Sequence, residues 1–136
     1  MCSLSLMDPA DLKAIGVFAS LSDADHSWIA QRMAETRVPI GSQLVKSGDF
    51  AYRFFGILEG TAAVTRAGHH VAILGPGDVF GEIAVIDDSR RSADVVATTP
   101  MRLATMMSWD FREALARFPQ LEAEVHRLTE ERLAAE

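Results

Sequence analysis

The sequence predicts an α+β fold: an antiparallel β-roll of the jelly-roll barrel type, preceded by helices and followed by two more. Glycines recur at short intervals between residues 41 and 81, and short apolar runs lie between them. Such closely spaced runs with turn signals are typical of antiparallel strands. The segments before residue 37 and after residue 107 instead show helix caps and helical apolar spacing. Helices at both ends of a block of strands indicate one α+β domain over residues 1–136.

The N-terminal segment, residues 1–36, is predicted to be helical. Asp8 and the proline after it open a short helix that runs to about residue 14. Ser22 is a good N-cap for a second helix, with Asp25 at its third position. Apolar residues up to Met33 give that helix a buried face. It is expected to end near residues 37–39, because Pro39 disfavours helical geometry in the residue before it.

Residues 37–107 are predicted to form the β-roll. The expected strands are residues 43–46, 53–58, 61–65, 70–74, 93–98 and 101–107. A turn at Gly60 is predicted to join the second and third of these strands as a hairpin. Residues 75–78 (GPGD) place proline and glycine where a type II turn requires them.

Residues 108–136 are predicted to form two helices. Ser108 caps the first, and a Phe-Pro pair at residues 118–119 separates it from the second. Leucine and valine at positions 121, 125 and 128 form an apolar stripe, and Arg132 falls next in that row. The stripe, residues 121–133, either packs on the domain or pairs two subunits. Because it is too short for a coiled coil alone, at most a weak homodimer is expected.

Composition and charge restrict the possible partners. Apolar residues make up 49% of the 136 residues, enough for one core, and the net charge is −6. This charge argues against direct binding of nucleic acid, which needs clustered Lys and Arg. The single cysteine, Cys2, excludes an intrachain disulfide and a cysteine zinc site, which fits a cytoplasmic protein. Neither a signal peptide nor a run of the roughly 20 apolar residues of a membrane helix is expected.

The most informative segment is residues 80–93, with the sequence FGEIAVIDDSRRSA. Glycine lets the backbone approach a ligand closely, and the carboxylate beside it can accept a hydrogen bond from a sugar hydroxyl. A short helical turn presents free N–H groups that suit an anion. Arg91, nine residues beyond the acid, can donate two hydrogen bonds to phosphate oxygens. The segment therefore predicts a loop that binds a small molecule carrying a phosphate and vicinal sugar oxygens.

This pattern resembles the phosphate-binding cassette of the cyclic nucleotide-binding domain family, the sensor of catabolite activator proteins, cAMP-dependent kinases and cyclic-nucleotide-gated channels. The resemblance covers nearly the whole chain. It is carried by residues 15–22 (IGVFASLS), 46–49 (KSGD), 54–60 (FFGILEG), 74–82 (LGPGDVFGE) and 91–93 (RSA). A lone Gly-Glu pair is weak evidence, but these motifs in one register are specific.

The resemblance implies a role for each residue of the cassette, taken as residues 80–93. Arg91 is expected to pair with the cyclic phosphate; the alternative is a surface arginine like Arg90. Glu82 is expected to accept a hydrogen bond from the ribose 2′-hydroxyl. Gly81 and the backbone N–H groups of Ile83 and Ala84 are expected to approach the sugar and phosphate. Ser92 would add a hydroxyl donor, which does not by itself separate cAMP from cGMP.

Further ligand contacts are expected around the cassette. Apolar side chains that could form a wall beside the purine are Val71, Leu74, Val79 and Phe80; for each of them core packing is the alternative. Arg132 lies where the last helix of the family often covers the base, and an arginine in an apolar stripe favours a planar or anionic partner. Its alternative is a solvated charge paired with Glu124 or Glu136.

The resemblance also implies a conformational response. Phe111, with Val85 and Ile86 of the cassette, is similar to the hydrophobic relay of the family. In this relay the ligand draws the cassette inward, the helix that carries the phenylalanine swings, and the last helix closes. Core packing would explain the same residues.

Three functions remain as alternatives on the sequence. The expected one is a regulatory sensor that binds cAMP, less favourably cGMP, without turnover, cofactor, metal or catalytic residues. The second is a domain of the same fold that binds no nucleotide and serves as an interaction module. The third is a cupin-type metalloenzyme, which needs His and carboxylate ligands close together in the barrel. The four histidines do not support it. His69 and His70 are adjacent and point apart on a strand, and His26 and His126 lie in predicted helices. An effector domain or partner protein is expected, and whether the domain stands alone stays open.

Overall fold

The computed structural model describes residues 3–49, 52–81 and 93–134, with the side chains of residues 3–5 and 133–134 left out of the description. The strands are β1 Ser3–Leu6, β2 Met33–Val38, β3 Gln43–Val45, β4 Arg53–Glu59, β5 Ala62–Arg66, β6 His69–Leu74, β7 Val79–Phe80, β8 Asp94–Ala97 and β9 Met101–Met107. The helices are two short 3-10 helices, Pro9–Ala14 and Gly16–Phe18, and the α-helices α1 Asp23–Ala30, α2 Ser108–Arg117 and α3 Pro119–Ala134.

The strands form two antiparallel sheets. One has five strands in the order β1-β2-β9-β4-β7, and the other has four in the order β3-β8-β5-β6. Within the described ranges no strand pairs across the two sheets, so they form an open roll rather than a closed barrel. The predicted α+β roll with flanking helices is confirmed.

The centre of the five-stranded sheet is buried on both faces: successive side chains of β4 point to opposite sides, and four in a row are buried. In β4, Phe55 and Ile57 face the inside of the roll, where they pack with Val95 and Leu103. Phe54 on the opposite face packs against the helices, next to a fully buried Phe111. The same sheet therefore forms a wall of the roll and a base for the helical layer.

The N-terminal prediction is wrong in part. The Ser22 cap is confirmed, since its hydroxyl accepts a hydrogen bond from the Asp25 N–H at 3.1 Å. However, α1 ends at Ala30, and the residues after it enter β2, whose six residues pair with β9. The strand β1 was not predicted, because four residues without turn signals carry little sequence evidence. The pairing of β1 with β2, and of β2 with β9, gives these residues their extended conformation in spite of their local propensity.

The predicted hairpin at Gly60 is also wrong. β4 pairs with β9 and β7, whereas β5 pairs with β6 and β8, so the chain crosses from one sheet to the other at this glycine. Gly60 has a φ of 92°, and a Cβ there would collide with the carbonyl oxygen of Pro100. A further correction concerns Ser108, which is the first residue of α2; Met107 occupies the N-cap position, and no side chain caps this end.

A cluster of charges attaches the first 3-10 helix to the sheet. The half-buried guanidinium of Arg102 in β9 bonds to Glu35 at 2.6 Å and to Asp11 at 3.1 Å. The hydrogen bond that Arg102 donates to Glu35 is the main cause that raises the pKa of Arg102 above its ordinary value, against the opposing effect of burial. A raised pKa of a cation stabilises the folded state at every pH below the ordinary range of the guanidinium, and this stabilisation is lost only as the pH rises through the raised pKa. The cluster therefore keeps its cation at every physiological pH.

Candidate ligand-binding site

The predicted cassette is described only at its two ends. Glu82, Ile83, Ala84, Arg91 and Ser92 lie outside the described residues, as do Val85 and Ile86 of the predicted relay. The described parts are Phe80 and Gly81 at the start, where β7 ends, and Ala93 at the end, which is followed directly by Asp94, the first residue of β8. The geometry of these two ends defines the place where the intervening residues attach.

The leading end is fixed by the turn at residues 75–78. The Asp78 N–H donates to the Gly75 carbonyl at 3.0 Å, and Gly77 has a φ of 92°, which confirms the predicted type II turn. The Asp78 carboxylate also accepts a hydrogen bond from the Gly75 N–H at 2.9 Å. Two further backbone bonds of 2.9 Å join Gly77 and Asp78 to Ile57 of β4. The strand that leads into the cassette therefore starts from a rigid turn.

The two residues of β7 point to opposite sides of the sheet. Phe80 faces the inside of the roll, where its ring stacks on Phe55 with centroids 4.7 Å apart. Val79 packs on the helical side, and both side chains are buried. Gly81 follows with a φ of 89°, a left-handed conformation that favours glycine.

The trailing end is attached to the turn after β3. One carboxylate oxygen of Asp94 accepts hydrogen bonds from the Ser47 N–H at 2.8 Å and from the Gln43 amide at 3.3 Å. Next to it, Val95 pairs with Val45. This attachment fixes the start of β8 beside the turn after β3.

A cleft of about 380 Å³ opens at this end of the roll. Its floor contains Phe55, the partner of Phe80, and Val45, the partner of Val95, so the cleft lies between the two attachment points of the cassette. Its lining residues are Leu44, Val45, Lys46, Asp49, Tyr52, Arg53, Phe55 and Met107. The volume falls within the roughly 300–1,000 Å³ of pockets that hold small molecules.

Sequence reasoning missed the polar residues of this cleft as site residues. Lys46 and Asp49 belong to the KSGD motif, and Tyr52 and Arg53 follow it. The motif indicated a turn, but only the pairing of β3 with β8 brings that turn beside the cassette. Tyr52 also accepts the Ser108 N–H at its carbonyl, at 2.8 Å, which joins the cleft to the start of α2.

The predicted apolar wall residues lie in different environments. Leu74 is half-buried and packs against the core inside the roll. Val71 is 47% exposed and lies at an irregularity in the pairing of β6 with β5. Contact of Val71, Leu74, Val79 and Phe80 with a ligand stays a prediction.

Arg132 reaches the strand that leads into the cassette. Its guanidinium donates a hydrogen bond of 2.5 Å to the Val79 carbonyl. The apolar stripe of α3 packs within the chain, with Leu121 and Val125 fully buried, so the surface considered for pairing two subunits is used internally. Of the alternative partners, Glu124 bonds Arg127 at 2.9 Å, and Glu136 lies outside the described residues.

The side chain expected to relay movement is placed against the sheet. Phe111 of α2 stacks on Phe54 with centroids 4.1 Å apart and nearly parallel rings, and Phe18 meets Phe54 edge-on. The helix is thus coupled by aromatic contacts to β4, which also pairs with β7.

The histidines do not come together. His69 and His70 are exposed at the start of β6, His126 is exposed on α3, and His26 is buried and bonds to the Phe18 carbonyl at 2.6 Å. Among the described residues, no three or more His, Cys, Asp or Glu side chains form a group that could hold a metal ion. The same ranges contain no helix long and apolar enough to cross a membrane.

Comparisons with known proteins agree with this architecture. The family model described as "Cyclic nucleotide-binding domain" matches residues 35–118. The chain is 34% identical over 105 residues to a cAMP-dependent protein kinase regulatory subunit of Eremothecium gossypii, covering 76% of this chain and 23% of that protein. It is 35% identical over 116 residues to a cyclic nucleotide-gated potassium channel of Mesorhizobium japonicum, covering 85% of this chain and 32% of the channel.

A solved structure shows the same fold. The cAMP-bound protein PfPKA-R superposes with a TM-score of 0.85 at 19% identity, over 93% of this chain and 44% of that one. The chain spans about a quarter to a third of the length of the two relatives above.

Proposed function

Because the chain belongs to the cyclic nucleotide-binding domain family, we propose that it is a regulatory sensor that binds cAMP reversibly, with cGMP as the less favoured ligand. The observation that carries the proposal is the family match over residues 35–118, a range that includes Gly81, Glu82 and Arg91. The kinase regulatory subunit among its relatives, described as cAMP-dependent, favours cAMP as the ligand.

The proposal assigns a part to each site residue. Arg91 binds the cyclic phosphate, and Glu82 accepts the ribose 2′-hydroxyl. Gly81 and the N–H groups of Ile83 and Ala84 approach the sugar and phosphate, and Ser92 adds a hydroxyl donor. The cleft between the cassette ends supports this arrangement, because it has an apolar floor and a polar rim of suitable size.

The remaining assignments surround the ligand. Val71, Leu74 and Phe80 line the purine. Arg132 lies over the base and donates a hydrogen bond to the Val79 carbonyl. The domain is taken as residues 1–136, with the roll and its cassette between the two helical parts.

The sensor is proposed to act through movement and not through turnover. Binding shifts the cassette, β7 transmits the shift to β4, and α2 and α3 respond. The output belongs to an effector domain or partner protein, as in the kinase and channel relatives, and needs no cofactor or metal in this domain.

The test is calorimetric titration of the purified protein with cAMP and, separately, cGMP. We expect saturable binding, and the ratio of the affinities for cAMP and cGMP identifies the preferred ligand. Arg91→Glu should abolish it, because the lost charge-assisted contact alone costs about 1.5–3 kcal/mol and the new carboxylate repels the phosphate. Arg90→Glu is the matched control, since it makes the same charge change at the neighbouring residue.

Two results would contradict the proposal. Equal weakening by both variants would mean that the arginine acts through net charge alone. Absence of heat and of thermal stabilisation with either nucleotide would favour the interaction module, a domain of this fold that binds no nucleotide.

A further inference from the structure

We propose that β6 pairs with β6 of a second copy of this chain, which joins two four-stranded sheets across a two-fold axis. β6 is the last strand of its sheet, in the order β3-β8-β5-β6, and in the described ranges no strand pairs with its other side. An edge strand keeps N–H and C=O groups along its open side that can pair with another chain. The inference concerns assembly and does not depend on the ligand of the domain.

β6 is the longest of the four edge strands in the described structure. It has six residues, whereas β1 has four, β3 has three and β7 has two. Proteins commonly protect an edge by making the strand very short or by placing charges or proline in it. The sequence of β6, HHVAIL, contains no Asp, Glu, Lys, Arg or Pro. Of the four edges, β6 is therefore the one best suited to accept another strand.

An apolar row on the outer face of the sheet ends at β6. Ile73 pairs with Ala63 of β5, and Ala63 pairs with Val96 of β8. The adjacent residues of these strands pack inside the roll, so the three side chains of the row point outward. Ile73 is 56% exposed at the end of the row. Strand pairing with a second copy would continue the row and cover this isoleucine with an apolar neighbour.

A bulge limits the length of strand that can pair. Val64 pairs with Ala72 and Thr65 with His70, so Val71 is an extra residue in β6. A bulge twists an edge and opposes pairing, but the ladder is regular from there to the end of β6. A short stretch of paired edge buries less than the roughly 1,200–2,000 Å² of a stable interface. We therefore expect a weak dimer that dissociates on dilution.

Charge favours an antiparallel arrangement of the two strands. The net charge of the chain is −6, so two copies repel each other in general and approach most easily at an uncharged edge. Arg66 lies at the turn before β6, and Asp78 lies in the turn after it. Antiparallel pairing brings the end with Arg66 of each copy toward the end with Asp78 of the other. Because the pairing uses the one β6 of each copy, the assembly closes at two copies.

The experiment is sedimentation of the full chain, without nucleotide, over a wide range of concentrations. The wild type should change from monomer to dimer as the concentration rises. Ile73→Lys should raise the dissociation constant of the dimer roughly tenfold, because it places two like charges near the two-fold axis and removes an apolar contact. Ile40→Lys is the matched control, since it makes the same change at an isoleucine that is 63% exposed outside β6. It should associate as the wild type does.

Val96→Lys separates pairing of edges from packing of faces. Val96 belongs to the same outward row but lies two strands away from the open edge, so it should leave edge pairing unchanged. A loss as large as that of Ile73→Lys would mean that the sheets pack face to face, which overturns the proposal.

Amide exchange of the wild type gives a second measurement that needs no variant. Protection in residues 69–74 should rise with protein concentration, while exchange in β2 and β9 stays unchanged. A wild type that stays monomeric up to its solubility limit would overturn the proposal. A dimer that Ile73→Lys does not weaken, or whose residues 69–74 gain no protection, would overturn it as well.

Discussion

At the scale of single residues, Gly60 determines where the chain leaves the five-stranded sheet. It follows Glu59, the last residue of β4, and its φ of 92° turns the chain toward the opposite sheet. The next N–H, of Thr61, donates to the Thr99 hydroxyl at 2.9 Å. Both the backbone conformation and the lack of space exclude a side chain here. Gly68, in the turn between β5 and β6, shares the left-handed conformation but has open space around it.

The two glycines give a matched test of this crossing. Gly68→Ala should lower the free energy of unfolding by about 1 kcal/mol, the cost of a left-handed conformation with a Cβ. Gly60→Ala should cost about 1–3 kcal/mol more, because its Cβ also collides with a backbone carbonyl that cannot move away. Urea unfolding of both variants measures the difference. Equal destabilisation would show that the crossing tolerates a side chain.

At the scale of elements, α3 is held to the domain at both ends. Its N-terminal half buries Leu121 and Val125 in the core, and its C-terminal turn is attached by the bond from Arg132 to the Val79 carbonyl. The hydrogen bond from this charged donor contributes about 1.5–3 kcal/mol. Because Leu121 and Val125 are fully buried whereas Arg132 is half-buried, the last turns of α3 are the part of the helix most ready to separate from the domain.

Replacing this arginine should loosen the end of α3 without unfolding the domain. Arg132→Gln is expected to speed amide exchange in residues 126–134 severalfold, while exchange in β4 and β9 stays unchanged. Arg127→Gln is the control on the same helix, because within the described ranges the exposed Arg127 forms its ion pairs with Glu124 and Glu131 of its own helix. If both variants exchange alike in this segment, the bond to Val79 does not hold the helix.

At the scale of the whole molecule, the five-stranded sheet connects the ligand side to the helical side. Phe80 packs inside the roll and Val79 on the helices, so a displacement of β7 changes the packing on both faces. Phe54, on the strand paired with β7, carries the stack with Phe111 of α2. Close-packed contacts of this kind transmit small shifts, because the core has few voids to absorb them.

This coupling predicts that ligand binding changes the protection of backbone amides in α2 and α3 against hydrogen exchange. Amide exchange in residues 109–136 should differ between the ligand-free and cAMP-saturated protein, as α2 and α3 take a new position. The control is Arg91→Glu with the same nucleotide, for which no difference is expected. Identical protection in the wild type, under conditions where calorimetry shows saturation, would contradict the relay and leave these aromatic residues as core.

Much of this molecule was predictable from local sequence. Residues 101–107 are recognised as a strand with the observed bounds, and the turn at residues 75–78 has the predicted type, because proline and glycine restrict the backbone locally. The cap at Ser22 is also a local interaction. The assignment of β2 as helix fails because its six-residue pairing with β9 involves residues far along the chain.

The amino-acid sequence alone is enough to predict the α+β roll, the turns between its strands and the motif at residues 80–93 that resembles the family, since each depends on residues close together in the chain. The tertiary fold is needed to see that Gly60 carries the chain between the sheets, that Arg132 bonds to Val79, and that the Ser47 N–H bonds to Asp94. The contacts at these places join residues 38 to 53 positions apart. Such residues meet because of strand order and register, which no local propensity encodes.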